Sequence, residues 1–433
     1  MKVGKNEMKK LTALLLSFVM LFVFATGAQA QAATTFVPIM LGEKQLTFDN
    51  GQPFFENATT LIPVKPFLEG LDYELNWEAE TSTLYASKGE LSFALRRDNN
   101  QAMANDEAHQ LTVAPKIVNG TLYAPLRFLA ENAGYRVGWD AKNRAAALEQ
   151  QDSKGFFWKV EKDGSVVYLL GSIHVGSDDL YPMRPEMNVA YANSDHLVVE
   201  VNTVAPMDEE EMADIQKKYM LYDDNTTLAD HIDATTYAKL QDILKELGAP
   251  ETAYDSIKAW LVYSRLVLIK SQLNGYEGGL GIDTYFLQKA LATGKSVLEL
   301  ESHDSQFSML NNFSDELIAS LLKETVETFH QPDNSAETMA DVLRTSSTEP
   351  MVNVWLAGDE AALTESTEAM KETPEYYKAV IKDRNVGMIE KIEGYLDNEN
   401  KETYFVVAGA GHMLGEDGIV TKLKEKGYTI TRL

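Results

Sequence analysis

Residues 57–79 recur 62 positions further along the chain, and this repeat limits the first third of the molecule to few architectures. Each copy holds a short apolar run ending in proline, a short helical stretch (66–71 and 126–133), and two β-rich runs joined by a turn. One copy is too small to bury its apolar face alone, so the pair is expected to share one core. The sequence therefore predicts a small two-repeat α+β domain over residues 36–150. The identical positions include Asn57/Asn119, Thr59/Thr121, Pro63/Pro125, Tyr73/Tyr135, Trp77/Trp139 and Ala79/Ala141.

The first 30 residues have the organisation of a secretory signal peptide. Four lysines precede an apolar run at 11–24, and Ala28-Gln29-Ala30 supplies the small-x-small pattern of a cleavage site. The run is shorter than the roughly 20 residues that a membrane-spanning helix needs. We therefore expect a secreted or cell-surface protein, with no transmembrane segment in the mature chain.

Charge and cysteine content exclude several classes of function. The formal net charge is −26, and removal of residues 1–30 makes it more negative, so binding to nucleic acid or to anionic lipid is not expected. The chain contains no cysteine. Any metal site must therefore use histidine and carboxylate ligands.

After a short junction at 151–157, the pattern changes to β-rich runs that alternate with long amphipathic stretches. This alternation predicts an α/β (α+β) domain over 158–433, in which many helices flank a central sheet. The long helical insert between the second and third runs is expected to form a lid or cap over one end of the sheet. The predicted strands are 166–171, 197–201, 296–300, 404–408 and 428–432, and the predicted helices lie near 208–220, 234–247, 253–273, 283–293, 314–329, 336–346, 360–371 and 375–397.

Four of the predicted strands end at residues suited to acid–base or metal chemistry. In sheets of this kind, ligands bind at the carboxyl ends of the strands, where side chains from separate strands converge. A glycine three residues before each of the two histidines lets the chain turn sharply away from its strand. The four residues are His174, Glu200, Glu301 and His412.

Two imidazoles and a carboxylate suit an open metal site. We expect His174, His412 and Glu200 to bind a divalent ion such as Mn, Co or Zn, with positions left for water and substrate. The second carboxylate would act as a general base or orient a ligand histidine. Taken singly, a histidine at a strand end is more often structural than functional, and a carboxylate there is often just an exposed end.

The last long helix adds two further candidates. Asn385 interrupts its apolar stripe, and a buried amide must find hydrogen-bond partners. Arg384 is a permanent cation suited to a carboxylate or a developing oxyanion. A surface salt bridge is an equally open interpretation of Arg384.

Residues 158–433 resemble the TraB/PrgY/GumN family, which includes the Tiki proteins. The likeness rests on "YLLGSIHVGSDDLYP", "LVVEVN", "GIDTYFLQKA", "LELESHDSQ", "DRNVGM" and "FVVAGAGHMLGEDGIVTKLKEKGYTI". The resemblance implies metal-dependent proteolysis, as in the Tiki members, and a fold related to erythromycin-esterase-like and haem-binding ChaN-like proteins. The family's motifs fall on His174, Glu200, Gly281, Asp283, Glu301, Gln306, Arg384, Asn385 and His412.

Residues 36–150 resemble the copper-amine-oxidase-like N-terminal domain found on exported Gram-positive proteins. "APKIVNGTLYAPLRFLAENAGYRVGWD" carries this likeness. The segment offers only His109 as a nitrogen ligand, so no copper site is expected. The resemblance implies a spacer, or a module that binds cell-wall components.

Three functions remain open from the sequence. The first is an exported metallopeptidase-type hydrolase that cleaves a peptide or protein substrate, with Arg384 and Asn385 stabilising the oxyanion and Glu200 and Glu301 contributing to catalysis. The second is a metal-independent esterase-type hydrolase with a histidine base and a glutamate that orients it. The third is a protein that sequesters a peptide or small molecule without turnover.

Overall fold

A computed structural model describes residues 36–333, 342 and 346–433. The predicted signal peptide, residues 1–30, lies outside the described residues, as does nearly all of the helix predicted at 336–346. The described chain forms an N-terminal unit and a larger C-terminal unit, and each has its own hydrophobic core.

The N-terminal unit consists of two short helices and of short strands that pair mostly antiparallel. The bounds of its strands are β1 (Ile39–Leu41), β2 (Lys44–Gln45), β3 (Phe54–Glu56), β4 (Thr59–Pro63), β5 (Glu74–Glu78), β6 (Thr83–Lys88), β7 (Leu91–Arg96), β8 (Gln101–Ala104), β9 (Glu107–Gln110), β10 (Lys116–Val118), β11 (Thr121–Pro125), β12 (Tyr135–Asp140) and β13 (Ala145–Gln150). These strands form three sheets, with the orders β12-β13-β1-β2, β10-β11-β4-β3 and β5-β6-β7-β8-β9. The helices are α1 (Val64–Glu69) and α2 (Leu126–Asn132).

The two sequence repeats meet at the centre of this unit, as predicted. Strands β4 and β11, one from each repeat, pair antiparallel, with Ile62 opposite Ala124. Asn57 and Asn119 occupy equivalent hairpin turns with positive φ values of 46° and 51°. Asparagine tolerates this conformation better than most residues, which explains why it recurs. Both repeats contribute to the main apolar core of this unit, as expected for two copies that pack together.

Helix α1 begins two residues before the predicted start at residue 66. Pro63 directly precedes Val64 and takes the N-cap position with a φ of −60°. Proline at the end of a strand cannot continue the ladder, so the chain turns into the helix at once.

A six-stranded sheet forms the centre of the C-terminal unit. Its order is β17-β16-β18-β15-β14-β19. Strands β15, β16, β17 and β18 run parallel to one another. At one side of them β14 pairs antiparallel with β15, and β19 pairs antiparallel with β14. The bounds are β14 (Phe156–Lys162), β15 (Ser165–Ser172), β16 (His196–Val199), β17 (Ser296–Glu299), β18 (Thr403–Gly409) and β19 (Thr429–Arg432). The predicted mixed α/β fold is confirmed, and all five predicted strands are present.

One strand of this sheet was not predicted. Strand β14 starts at Phe156, inside the segment interpreted as a junction. Phe156 and Phe157 are 1% and 0% exposed, so both faces of the strand are buried here. Adjacent buried aromatic residues show no alternation of apolar and polar positions, so the pattern gave no signal for a strand here.

Helices surround the sheet on both faces. Their bounds in the described chain are α3 (Pro185–Ala192), α4 (Glu209–Ile215), α5 (Leu228–His231), α6 (Ala234–Glu246), α7 (Ala259–Leu273), α8 (Ile282–Thr293), α9 (His303–Asn311), α10 (Asp315–Thr328), α11 (Thr348–Ala357), α12 (Glu360–Ala369), α13 (Pro374–Tyr377), α14 (Asp383–Leu396) and α15 (Ile419–Glu425). A π-helical turn, Lys378–Lys382, joins α13 to α14.

The helical insert has a hydrophobic core of its own. Residues from α4 to α7 and α10, among them Trp260, Leu266 and Leu322, form a cluster separate from the core of the sheet. This cluster forms a helical lobe that is reached directly from the carboxyl ends of β16 and β17. Within the described ranges, no helix is long and apolar enough to cross a membrane.

Candidate functional site

The carboxyl ends of four parallel strands meet at one edge of the central sheet. Because β18 lies between β15 and β16, the order along this edge differs from the order along the chain. The neighbouring strand ends therefore present, in spatial order, His174, His412, Glu200 and Glu301.

His412 is held by Asn385. The Nδ2 group of Asn385 donates to the carbonyl oxygens of His412 and Asp417, at 3.2 and 2.8 Å, which fixes the orientation of the amide. Its Oδ1 atom therefore lies 2.6 Å from His412 Nδ1 and accepts a hydrogen bond from the Nδ1–H group. The remaining ring nitrogen, Nε2, then carries the lone pair. Burial lowers the pKa of His412 to about 4, so the ring is neutral at neutral pH.

His174 is held in the same manner by Asp283. Its Nδ1 atom lies 2.9 Å from Asp283 Oδ2, and the hydroxyl of Ser172 donates to Asp283 Oδ1 at 2.6 Å. The Asp283 carboxylate raises the pKa of the His174 imidazole. Since the His174 side chain is 66% exposed, water screens part of this effect.

The Gly281 backbone makes the contact between His174 and Asp283 possible. A Cβ atom at Gly281 would lie 2.4 Å from the carbonyl oxygen of His174, so only glycine allows this approach. The α8 segment that carries Asp283 can therefore pack directly behind His174.

Glu200 lies at the centre of the site and is 7% exposed. Its Oε1 atom accepts from the Gly409 backbone N–H at 2.6 Å and lies 3.8 Å from His412 Nε2. Its Oε2 atom accepts from Arg384 Nη2 at 2.5 Å. Burial opposes ionisation of Glu200, but His412, His174 and Arg384 outweigh it and lower the pKa to about 2.

Arg384 joins the two glutamates. Its Nε and Nη2 atoms donate to the Glu301 carboxylate at 2.9 and 2.6 Å, while Nη2 also reaches Glu200. Gln306 adds a donor to Glu301 Oε2 at 3.0 Å. The three charged side chains are between 8% and 13% exposed. Burial favours the neutral guanidinium, but the two carboxylates raise the pKa of Arg384 above its ordinary value, so the group stays charged.

The backbone of Gly409 leaves a small space between these side chains. A Cβ atom at this position would lie 3.2 Å from Glu200 Oε1, 3.5 Å from His412 Cδ2 and 3.6 Å from His174 Nε2. Two imidazoles and a carboxylate therefore surround one point, and both rings have their Nδ1 atoms engaged elsewhere. A hydrogen-bonded Nδ1 and a free Nε2 are typical of histidines that ligate metals.

The donor atoms are of the kind that binds a divalent metal, but they are not drawn together around one. Among the residues that the structure describes, no three His, Asp or Glu side chains are grouped tightly enough to hold an ion as they stand. Glu200 would offer Oε1 alone, because Oε2 is committed to Arg384.

The six residues singled out in the sequence thus lie together, and the contacts of two of them bear on the oxyanion role expected of them. Asn385 is 1% exposed and lies behind His412, where its amide is fully used. Arg384 is paired with two carboxylates and is not a surface ion pair. Both N–H groups of the Asn385 amide are used, whereas Arg384 Nη1 makes only a 3.4 Å contact, with the Val380 carbonyl oxygen.

Sequence reasoning missed the parts played by Ser172 and Gly409. Ser172 acts through Asp283, and Gly409 both donates to Glu200 and leaves the space beside it. Ser172 lies inside the first histidine motif and Gly409 opens the second, but nothing in the sequence indicates which side chains they face.

Comparison with known proteins gives two family matches. The model of the TraB/PrgY/gumN family matches residues 156–432, and that of the copper amine oxidase N-terminal domain matches residues 40–148. The first match covers every residue of the site described above. No solved structure matches this chain.

Individual relatives are distant. The chain is similar to the uncharacterized protein YbaP of Escherichia coli (strain K12), with 25% identity over 257 residues, 59% of this chain and 87% of YbaP. It is also similar to a metalloprotease TIKI homolog of Amphimedon queenslandica, with 28% identity over 194 residues, 40% of this chain and 36% of the relative. A protease inhibitor of Brevibacillus choshinensis is 30% identical over 90 residues, 21% of this chain and 26% of that protein.

Proposed function

We propose that this chain, which belongs to the TraB/PrgY/gumN family, is an exported metal-dependent hydrolase that cleaves peptide or protein substrates. One observation carries the proposal: His174, His412 and Glu200 surround the space beside Gly409, with both histidines oriented through Nδ1. Similarity to a relative named a metalloprotease supports the class of reaction.

In this proposal His174 Nε2, His412 Nε2 and Glu200 Oε1 hold the ion, which would be Mn, Co or Zn. A bound divalent ion supplies a water whose pKa is lowered from about 15.7 toward about 7. Asp283 and Asn385 are positioning residues, since each fixes the tautomer of the histidine in front of it. Because Asp283 raises the pKa of His174, a metal ion at Nε2 would compete with a proton for that atom.

Arg384 and Glu301 hold the Glu200 carboxylate in its orientation. Glu301 holds Arg384 in place by accepting from its Nε and Nη2 groups, and Arg384 in turn orients Glu200 so that Oε1 faces the histidines. We therefore assign Arg384, Glu301 and Gln306 to positioning the carboxylate ligand. Asn385 has no free donor for an oxyanion, so its proposed contribution is through His412.

A metal-independent hydrolase is the second candidate, and one observation favours it. The His174–Asp283 pair already has the arrangement of a general base with an orienting carboxylate, and the His174 ring is open to solvent. In that case Glu200 and Arg384 would bind the substrate rather than an ion.

Metal content distinguishes the candidates. Purified without chelator, the wild-type protein is expected to carry about one equivalent of a divalent transition metal, measured by mass spectrometry, as for an open catalytic site. The double variant His174→Ala/His412→Ala should lose it, whereas His330→Ala, at a histidine with a 63% exposed side chain outside the site, should not. If the folded protein takes up no metal on reconstitution and still cleaves a peptide library in chelator, the His174–Asp283 base would be favoured instead.

A further inference from the structure

The outer edge of β17 is unpaired. Strand β17 stands at one end of the six-stranded sheet and pairs only with β16 within the described chain. An unpaired edge offers backbone N–H and C=O groups to a further strand. This edge leads directly to Glu301 in the candidate site.

The register shows which backbone groups face outward. The Leu300 N–H donates to the Val199 carbonyl of β16 at 2.8 Å, so Leu300 faces inward; the Glu301 N–H also donates inward, to the Glu200 carbonyl at 2.9 Å, so the alternation of the strand ends at Leu300. Along a strand, the backbone N–H and C=O groups of successive residues point to alternate sides, so those of Val297 and Glu299 point outward. Lys391 Nζ donates to the Glu299 carbonyl at 3.0 Å from the outer side, in agreement with this assignment.

A cleft of about 500 Å³ runs along this edge. One wall is β17 itself, and the other is the segment that follows β16 and leads into α4. Most of the apolar lining comes from Val297 and Leu298 on one side and from 205–207 on the other. The cleft also includes Glu301, whose carboxylate is bound to Arg384, so it is continuous with the candidate site.

The charge of the cleft favours a basic occupant. Glu211, Glu299 and Glu301 line it, against the single ammonium group of Lys391. The side chain of Glu211 makes no hydrogen bond or ion pair within the described residues, so its charge is available. The net charge of −26 adds a long-range attraction for cations.

We infer that the outer edge of β17 is a substrate-docking surface, on which an extended polypeptide segment bearing Lys or Arg adds as a further strand. The segment bonds to the outward backbone groups of Val297 and Glu299 and displaces Lys391 from the Glu299 carbonyl. Its basic side chain faces Glu211, and the residues that follow reach Glu301. Main-chain hydrogen bonds give such a site its affinity, and side-chain pockets give it selectivity. This inference rests on the proposed function, since it names the substrate class of that hydrolase.

Binding can be measured apart from cleavage. The probe is a fluorescein-labelled peptide of alternating threonine and valine with a central lysine, compared with the same peptide carrying glutamate there. Anisotropy is measured with the full chain, with and without chelator. The lysine peptide is expected to bind at least about tenfold more tightly, and Glu211→Lys should remove that preference. A failure of the proposed hydrolase would appear as missing metal or missing cleavage, with binding in chelator intact.

Two variants test the backbone contact itself. Val297→Pro removes the outward N–H but leaves the ladder to β16, because proline is tolerated where its N faces away from the sheet. It should weaken binding by about tenfold, the loss expected for one or two hydrogen bonds, while Val297→Thr keeps the N–H and should bind normally. If Val297→Pro does not fold, hydrogen exchange of the wild-type Val297 amide decides, because bound peptide should slow it. No binding by either peptide, equal binding to folded Val297→Pro, or unchanged exchange at Val297 would each overturn the inference.

Discussion

At the scale of single residues, the site depends on buried polar groups that use nearly all of their hydrogen-bonding capacity. Asn385 makes three hydrogen bonds from a position that is 1% exposed. Arg384 uses its planar fork to hold two carboxylates at once, which a lysine point charge does not reproduce. Such groups are costly to leave unpaired, so their removal affects both stability and function.

Asn385→Ala is expected to lower the free energy of unfolding by about 3 kcal/mol, because it leaves the His412 N–H and two carbonyl oxygens without partners. Urea denaturation measures this change. The adjacent Val386 is 57% exposed on the same helix, and Val386→Ala should change stability by no more than about 0.5 kcal/mol. Equal stability of the two variants would show that Asn385 does not hold His412.

At the scale of elements, the sharp turns after the strands determine what lies in the site. Strand β18 ends at Gly409, and a short 3-10 turn, Ala410–His412, brings His412 back over the strand end. The π-helical turn before α14 stands directly ahead of Arg384 and Asn385. Irregular helical turns of this kind are frequent at functional sites.

Gly409→Ala tests the space between the proposed ligands. The Gly409 φ of −48° suits alanine, so the backbone need not change. The added methyl group would lie 3.2 Å from Glu200 Oε1 and would occupy the space shared by the three ligands. We expect metal affinity to fall by about 10- to 100-fold, as for other changes next to a metal ligand, with near-native stability.

Gly411→Ala is the matched control in the same turn. Its Cβ would meet only Ile381 and Met370, at ordinary contact distances of 3.7 and 3.8 Å. Titration of each apo variant with Mn, Co or Zn measures the affinities. Wild-type affinity in Gly409→Ala would place the ion elsewhere in the molecule.

At the scale of the whole molecule, a partly buried ion pair connects the two units. Lys289 of α8 lies 2.7 Å from the Glu107 carboxylate of the N-terminal unit, and their side chains are 19% and 14% exposed. Lys289 also lies over the rings of Tyr191 and Tyr285. Burial lowers the pKa of Lys289, while Glu107 opposes the shift. Since α8 also carries Asp283, this contact and the candidate site share one helix.

Lys289→Met should destabilise the protein by about 3 kcal/mol, because it leaves the Glu107 carboxylate poorly solvated without its cation. Calorimetry should show the N-terminal unit unfolding at a lower temperature than before. Adding Glu107→Gln should recover part of the loss. Lys65→Met, which removes a largely exposed ion pair with Glu69, serves as the control and should cost no more than about 0.5 kcal/mol.

The sequence by itself determined most of the local structure. The repeat predicted the shared core of the N-terminal unit, and apolar periodicity located five of the six strands of the central sheet. Local pattern was sufficient there because propensity, turn residues and burial agree within a few positions. It failed at β14, whose adjacent aromatic residues are buried without alternation.

Only the tertiary structure decided which side chains meet. The insertion of β18 between β15 and β16 places His412 between His174 and Glu200, although His412 is the last of these residues along the chain. Strand order depends on long-range packing, which leaves no periodic trace in the sequence. The same packing set Asn385 behind His412 and Arg384 between two glutamates, because a buried polar group must bond to whatever the fold brings beside it.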